Sequence, residues 1–299
     1  MGGGRWHDAV VSLSAALVPW YAAVARDLPW RRPGTTPWGV MVSEFMLQQT
    51  PVARVEPVWL RWMTDWPTPS ALAAAPRADV LRAWGKLGYP RRALRLHEAA
   101  AVIADVHGDV VPADVDALEA LPGVGSYTAR AIAAFGYGRR CAVVDTNVRR
   151  VVARAVHGNG DAGPARVKAD MADVAALLPA GDAEAATFSI AMMELGAVVC
   201  TARTPHCAAC PVRDRCAWLA AGAPAYDGPR RTPQTFAGTD RQVRGRLLDV
   251  LRGAAGPVDR AALDLAWNDA GQRDRCLDSL LVDGLAEQRL LGPVEAHAV

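Results

Sequence analysis

Four cysteines crowd into seventeen residues of a 299-residue chain: Cys200, Cys207, Cys210 and Cys216, spaced C-x6-C-x2-C-x5-C. Cys141 and Cys276 stand apart. So dense a cluster argues for metal binding before disulfides. Zinc modules usually separate two short cysteine pairs by a longer stretch, so the spacing fits zinc poorly. It suits an iron–sulfur cubane, which takes one thiolate per iron, with zinc or a coincidental cluster as the alternatives. Arg203 and His206, inside the first loop, would be held out as cationic finger residues.

Two carboxylates carry the second signal. Glu44 lies in Val40–Leu47, a segment apolar nearly all round and therefore expected to be buried. A lone glutamate there must be paired or must work, because burying an unpartnered carboxylate is expensive. Burial also raises a carboxyl pKa, which suits a general acid. Asp145 opens the run Thr146–Arg150, where its simplest role is a helix N-cap. Two carboxylates facing one pocket would be the arrangement for cleaving a glycosidic bond.

The third signal is Leu121-Pro122-Gly123-Val124-Gly125-Ser126-Tyr127-Thr128. Gly123 and Gly125 make a tight turn into a helix whose first amides are unpaired. Such a turn can hold a phosphate through backbone N–H groups, or serve only as a packing device between helices. Arginines cluster at 91–95, at 139–140 and at 149–150, and Lys86 and Lys168 are the only lysines. The clusters are either solvated faces or a footprint for a polyanion.

The elements that must position these residues read as helices joined by short Gly/Pro turns. Helical runs are expected at Trp38–Leu47, Ala71–Ala75, Val80–Trp84, Ala93–Val106 and Val167–Leu178. Ala142–Val144 is the best strand-like run, and it is short. Beyond a basic linker at Pro229–Pro233, three helices are expected at Gln242–Leu251, Arg260–Trp267 and Arg273–Val282, closed by a two-strand pattern at Leu285–Leu291. Three helices and a ribbon suggest a small winged-helix module, on which Arg241, Arg244 and Arg246 would touch phosphates. The chain is 51% hydrophobic and 21% charged with net charge +2, which excludes disorder. Its longest uncharged stretch, Ala9–Ala25, holds Ser12, Ser14 and Pro19 and falls short of the ~18–20 apolar residues of a membrane span. Val10, Leu13, Leu17, Tyr21 and Val24 repeat there at helical spacing, so the stretch reads as an amphipathic helix and not as a signal peptide. A cytoplasmic chain is expected.

Leu28–Arg31, Ser43–Thr50, Leu121–Thr128, Val144–Arg150 and the four cysteines occur in an order that closely resembles the adenine DNA glycosylase (MutY) family of the helix-hairpin-helix glycosylases. The resemblance covers about residues 6 to 220; the hairpin, the aspartate and the cysteines are shared with endonuclease III. It implies an all-α fold of a six-helix domain and a 4Fe–4S domain, followed here by the small winged-helix-like module. The divisions expected are residues 1–31 and 141–225 for the cluster domain, 32–140 for the six-helix domain, 226–236 for a linker and 237–299 for the module.

The resemblance further implies that Glu44 protonates adenine at N7 and that Asp145 stabilises the sugar oxocarbenium ion, or takes it up as a transient covalent adduct. Tyr127 would sit near the water and sugar, with Asn147 a polar helper beside Asp145. Trp30, Arg31 and Leu47 would line the pocket of the flipped base, Gln48 would contact the DNA, and Gln49 and Tyr89 would wedge beside the orphaned partner base. The expected substrate is duplex DNA with adenine opposite 8-oxoguanine or guanine, met by a nucleoid-associated monomer. An endonuclease III-like lyase would need a lysine amine in the hairpin, where Tyr127 stands. A mismatch thymine glycosylase would lack Glu44 followed by Leu47–Thr50, and a non-catalytic DNA-binding protein has no reason to bury Glu44 and Asp145. Three departures stand out: Pro90 replaces a second aromatic after Tyr89, Ile190 takes a usually polar position in the adenine pocket, and residues 230–299 are too short and too helical for the Nudix-like domain that many family members use to read 8-oxoguanine.

Overall fold

The computed structural model describes residues 3–229, 236–254 and 256–288. Helix α1 (Gly3–Val24) carries Pro19 within it and packs against two helices from much later in the chain. After Pro29–Arg31 the chain enters α2 (Pro37–Leu47), the centre of the first core. Its start is set locally. Thr36 accepts the Gly39 amide at 3.2 Å and Pro37 occupies the first turn, where no backbone donor is missed. Every residue from Trp38 to Met46 is buried, as the apolar pattern requires.

Helices α3 (Val52–Asp65), α4 (Pro69–Ala73), α5 (Arg77–Trp84), α6 (Arg91–Val106), α7 (Val115–Glu119) and α8 (Ser126–Tyr137) follow. Helix α2 packs on α3, α6 and α8, while α6 receives α4 and α5. Tryptophans Trp62, Trp66 and Trp84 meet edge to face within this core. Helix α8 ends at Gly138 in the left-handed conformation (φ 65°), where the amides of Gly138 and Arg139 return to the carbonyls of Ala134 and Ala133.

Ala142–Val144, expected as the best strand, form none; among the described residues no strand forms. Helices α9 (Thr146–Ala155), α10 (Val167–Leu177), α11 (Asp182–Val198) and α12 (Ala217–Ala220) follow. They form a second core around Val151, Phe188, Met192 and Leu195, which Leu13 and Leu17 of α1 complete. Both cores therefore draw on chain segments far apart in sequence.

The three C-terminal helices lie where expected: α13 (Asp240–Gly253), α14 (Arg260–Asp264) and α15 (Ala270–Val282). Helix α14 is shorter than Arg260–Trp267 because the Trp267 indole turns to Gln272 (2.8 Å) and Arg273 takes the freed carbonyls of Asp264 and Trp267. Leu285–Gln288 form no strand, and residues 289–291 of the expected ribbon lie outside the described residues, as does the linker beyond Pro229. Val243, Leu247, Leu248 and Leu280 bury themselves in the same core as α2–α8. No described helix is long and apolar enough to cross a membrane.

Candidate functional site

Residues from both cores meet around one cavity of about 1,120 Å³, lined by Trp30, Arg31, Glu44, Leu47, Gln48, Gln49, Tyr127, Asp145 and Asn147. Helix α2 presents Glu44, which is buried. Burial pushes its carboxyl up to about 7, against the Tyr127 hydroxyl that donates to it and the nearby charge of Arg31; the charge of Asp145 pushes the same way as burial. Tyr127, in the first turn of α8, has its phenol pushed well up by burial and by both carboxylates, so it stays protonated as a donor. Glu44 can therefore hold a proton near neutral pH in the cavity wall.

Asp145 is an N-cap as the simplest reading required: one carboxylate oxygen accepts the Val148 amide at 2.7 Å. The other accepts the side-chain amide of Asn147 at 2.8 Å, and Arg150 holds the Asn147 oxygen at 2.8 Å. Burial raises the Asp145 carboxyl, and the Val148 and Asn147 hydrogen bonds oppose that rise. Helix α11 comes close enough to fix Asn147 because Gly196 has no side chain; a Cβ there would lie 2.7 Å from the Asn147 Cβ. The cap and a site role are thus compatible, since the carboxylate edge turned to the cavity is held still by the bonds that make it a cap.

The hairpin is a type II turn by its chemistry: Pro122 then Gly123 at φ 76°, closed by the Val124 amide on the Leu121 carbonyl at 3.1 Å. A Cβ on Gly123 would sit 2.5 Å from the Arg95 Cβ, so the turn needs glycine twice over. Gly125 caps α8 with ordinary backbone angles and open space where a Cβ would go. Its lack of a side chain leaves the amides of α8 approachable from outside.

Sequence reasoning missed Glu194. It lies in the apolar helix α11, fully buried, and takes Arg26 Nε at 2.6 Å and Arg31 Nη1 at 2.9 Å. Burial alone would raise it; the hydrogen bonds from Arg26 and the charge of Arg31 bring it down to about 2. Its signal was the one used for Glu44, a lone glutamate among apolar helical residues. Ile190, from the same helix, lines the cavity and adds an apolar patch to it.

Most of the clustered arginines have partners within the fold, so they are not simply solvated faces. Arg92 donates to the carbonyls of Phe45, Met46 and Gln48 at 2.7–3.1 Å, standing in for the amides that α2 lacks at its end. Burial lowers its guanidinium to about 10. Arg140 takes the Pro179 carbonyl, Arg149 pairs with Asp170, and Arg150 takes the carbonyls of Cys200 and Gly196. Arg244, expected on phosphate, is paired with Asp283 at 2.5 Å. Arg246 remains exposed, as does Arg203 in the cysteine loop, and neither lines the cavity.

Tyr89 does not line this cavity. It stands over a second one of about 810 Å³, whose lining again includes Gln48 and Gln49. Gln49 and Tyr89 both hold left-handed backbone angles, φ 54° and 47°, which put their side chains out at two loop tips.

Burial pushes the Cys210 thiol up to about 11, and the charges of Cys200, Cys216 and Cys207 add to that rise. Among the described residues, no three or more His, Cys, Asp or Glu side chains converge tightly enough to hold a single metal ion. By donor chemistry the four thiols that one loop supplies fit a cubane, which takes one cysteine per iron. Arg154, 3.5 Å from the Cys200 sulfur and stacked on Trp218, closes one side.

Residues 42–176 match the HhH-GPD superfamily of base excision DNA repair proteins, and residues 200–216 match the iron–sulfur binding domain of endonuclease III. The solved structure of a thermostable thymine-DNA glycosylase superimposes with a TM-score of 0.65 at 24% identity, covering 72% of this chain and 98% of that one, which shows the shared fold. The adenine DNA glycosylase of Mycobacterium tuberculosis (strain CDC 1551 / Oshkosh) is 64% identical over 277 residues, 92% of this chain and 90% of the relative. That of Mycolicibacterium smegmatis is 64% identical over 91% of this chain and 92% of its own length. Identity of this extent, on a fold and cysteine loop that agree with it, places the chain in the adenine DNA glycosylase family.

Proposed function

We propose that this protein hydrolyses the N-glycosidic bond of adenine paired with 8-oxoguanine or guanine in duplex DNA, without a lyase step. The observation that carries the reading is the buried Glu44, held at about 7 beside Asp145 in one cavity. A flipped adenine enters between Trp30, Arg31 and Leu47. Glu44 gives its proton to N7, and the C1′–N9 electron pair leaves with the neutral base. The carboxylate of Asp145, kept in register by Val148 and Asn147, faces the positive charge that develops on the sugar, and Tyr127 orients the attacking water. No amine nucleophile lines the cavity among the described residues, which favours water over a Schiff base.

The two halves of the cavity divide the work. We assign residues 1–31 and 141–225 to the cluster domain that brings Asp145, and residues 32–140 to the six-helix domain that brings Glu44 and the hairpin. The amides beside Gly123 and Gly125 hold the DNA backbone irrespective of sequence, while Gln49 and Tyr89 wedge beside the partner base. Cys200, Cys207, Cys210 and Cys216 hold a 4Fe–4S cluster whose role is to keep the loop bearing Arg203 against DNA. Arg203 contacts a phosphate there. The protein acts as a cytoplasmic, nucleoid-associated monomer.

The test is release of free adenine from a labelled duplex carrying adenine opposite 8-oxoguanine, with strand cleavage scored separately after alkali. Adenine release with no spontaneous strand break supports the reading. A borohydride-trapped covalent complex would instead support an endonuclease III-like lyase.

A further inference from the structure

The C-terminal module reaches the ring assigned here to the partner base. The Arg241 guanidinium, in the first turn of α13, lies 5.1 Å from the centroid of the Tyr89 ring and 5.2 Å from that of Phe236. Arg92 also lies over Tyr89, at 5.6 Å, but it is fixed by its carbonyl contacts to α2. Helix α13 is anchored to the same segment: Arg252 donates to the Gly85 carbonyl at 2.8 Å, and Asp283 pairs with Arg91 as well as Arg244. Val243, Leu247 and Leu248 share a core with Leu87. Arg241, Phe236, Tyr89 and Gln49 thus line one cavity, the second one, which meets the first along Gln48 and Gln49.

From this arrangement we infer that Arg241 is a positioning residue for base excision: through its stack on Tyr89 the C-terminal module holds the wedge in place beside the base opposite the adenine. The inference rests on the assignment of Tyr89 as a wedge. The physical reason is that Tyr89 needs holding. Tyr89 is 41% exposed and its backbone is in the left-handed region, which a tyrosine rarely occupies without support. A guanidinium over a ring face gives a directional hold that still lets the ring edge meet a base. Two short loops and a helix from separate parts of the chain would therefore act as one reader. A module expected to add only non-specific phosphate contacts acquires a share in the reaction.

The test uses the full chain with its cluster loaded, in single-turnover excision of adenine opposite 8-oxoguanine. Arg241→Ala should slow excision about three- to fivefold, the fold-change that an exposed cation–π contact produces. Arg241→Lys, which keeps a cation for the ring, should stay within about 1.5-fold of the parent. In a Tyr89→Ala background, Arg241→Ala should add nothing, because both changes remove the same contact. An unchanged rate for Arg241→Ala overturns the proposal, and so does failure of the lysine to rescue it. A loss that persists undiminished in the Tyr89→Ala background overturns it too, by showing a direct phosphate contact. Tyr89→Ala excising at the parent rate would remove the wedge assignment and the inference with it, leaving adenine excision itself standing. A parent protein that releases no adenine would sink the proposed function, a separate and earlier failure.

Discussion

Two buried glutamates share Arg31 as a neighbour and end with opposite protonation. Glu44 on α2 is pushed up to about 7; Glu194 on α11 is brought down to about 2. Both are buried and both lie in apolar helices. The difference is in what faces them. Glu194 takes three side-chain hydrogen bonds from two guanidinia, at 2.6, 2.8 and 2.9 Å, which outweigh its loss of water. Glu44 meets a phenol, the more distant charge of Arg31 and a second carboxylate, and burial wins. The same residue type in the same helical setting thus becomes an anchor or a proton source according to its partners.

The largest expected effect separates the two roles. Glu44→Gln keeps the shape but cannot give up a full proton, so single-turnover excision should fall by about 100-fold or more while DNA binding persists. A variant retaining more than about a tenth of the rate would mean that Glu44 is not the acid. Glu194→Gln should instead cost stability, on the order of 3 kcal/mol, because it leaves Arg26 and Arg31 facing a neutral group in a part-buried site. Denaturant unfolding at matched m-values measures this, and an unchanged midpoint would reduce the pair to ornament.

The pH dependences should run in opposite directions. Glu44 binds a proton more tightly folded than unfolded, so its contribution to stability falls as pH rises from about 4.5 to about 7. Glu44→Gln should therefore be more stable than the parent above pH 7, by on the order of 3 kcal/mol, with the gap closing near pH 4.5. Glu194 binds its proton less tightly folded, so its contribution is present above about 4.5 and lost as pH falls towards 2. Excision should decline above pH 7 as Glu44 loses its proton. A rate that kept rising through pH 8 would detach the activity from this carboxyl.

At Asp145 catalysis and capping come apart, and the capping effect is the smallest of these. Asp145→Asn keeps an oxygen for the Val148 amide, so it should slow excision by about 100-fold or more with little change in stability. Asp145→Ala loses the cap as well and should cost about 1 kcal/mol further. Equal stabilities for the two would show that the cap contributes nothing to α9.

Local chemistry made much of this legible in advance. Thr36 and Pro37 set the start of α2, and an all-apolar segment could only place Glu44 inside. Pro122 and Gly123 specify their turn through backbone angles alone, and Asp145 caps the residue three places on. The cysteine spacing lies within one short loop. In each case the deciding partners are a few residues apart, so the pattern holds its own explanation.

What resisted were groups whose partners are distant in the chain. Arginine runs looked like a polyanion footprint, yet Arg92 satisfies carbonyls of a helix more than forty residues away and Arg140 those at the end of α10. Glu194 carried the signal of Glu44, but Arg26 and Arg31 lie more than 160 residues before it. Nothing in Arg241 or Tyr89 alone shows that they touch. The sequence by itself determined where helices such as α2 and α9 start, how the hairpin turns and which groups can carry a proton, because propensity, capping and burial act over a turn or two. Only the tertiary structure decided which carboxyl keeps its proton, which arginines are free and what the C-terminal module touches, because charge and packing depend on neighbours in space.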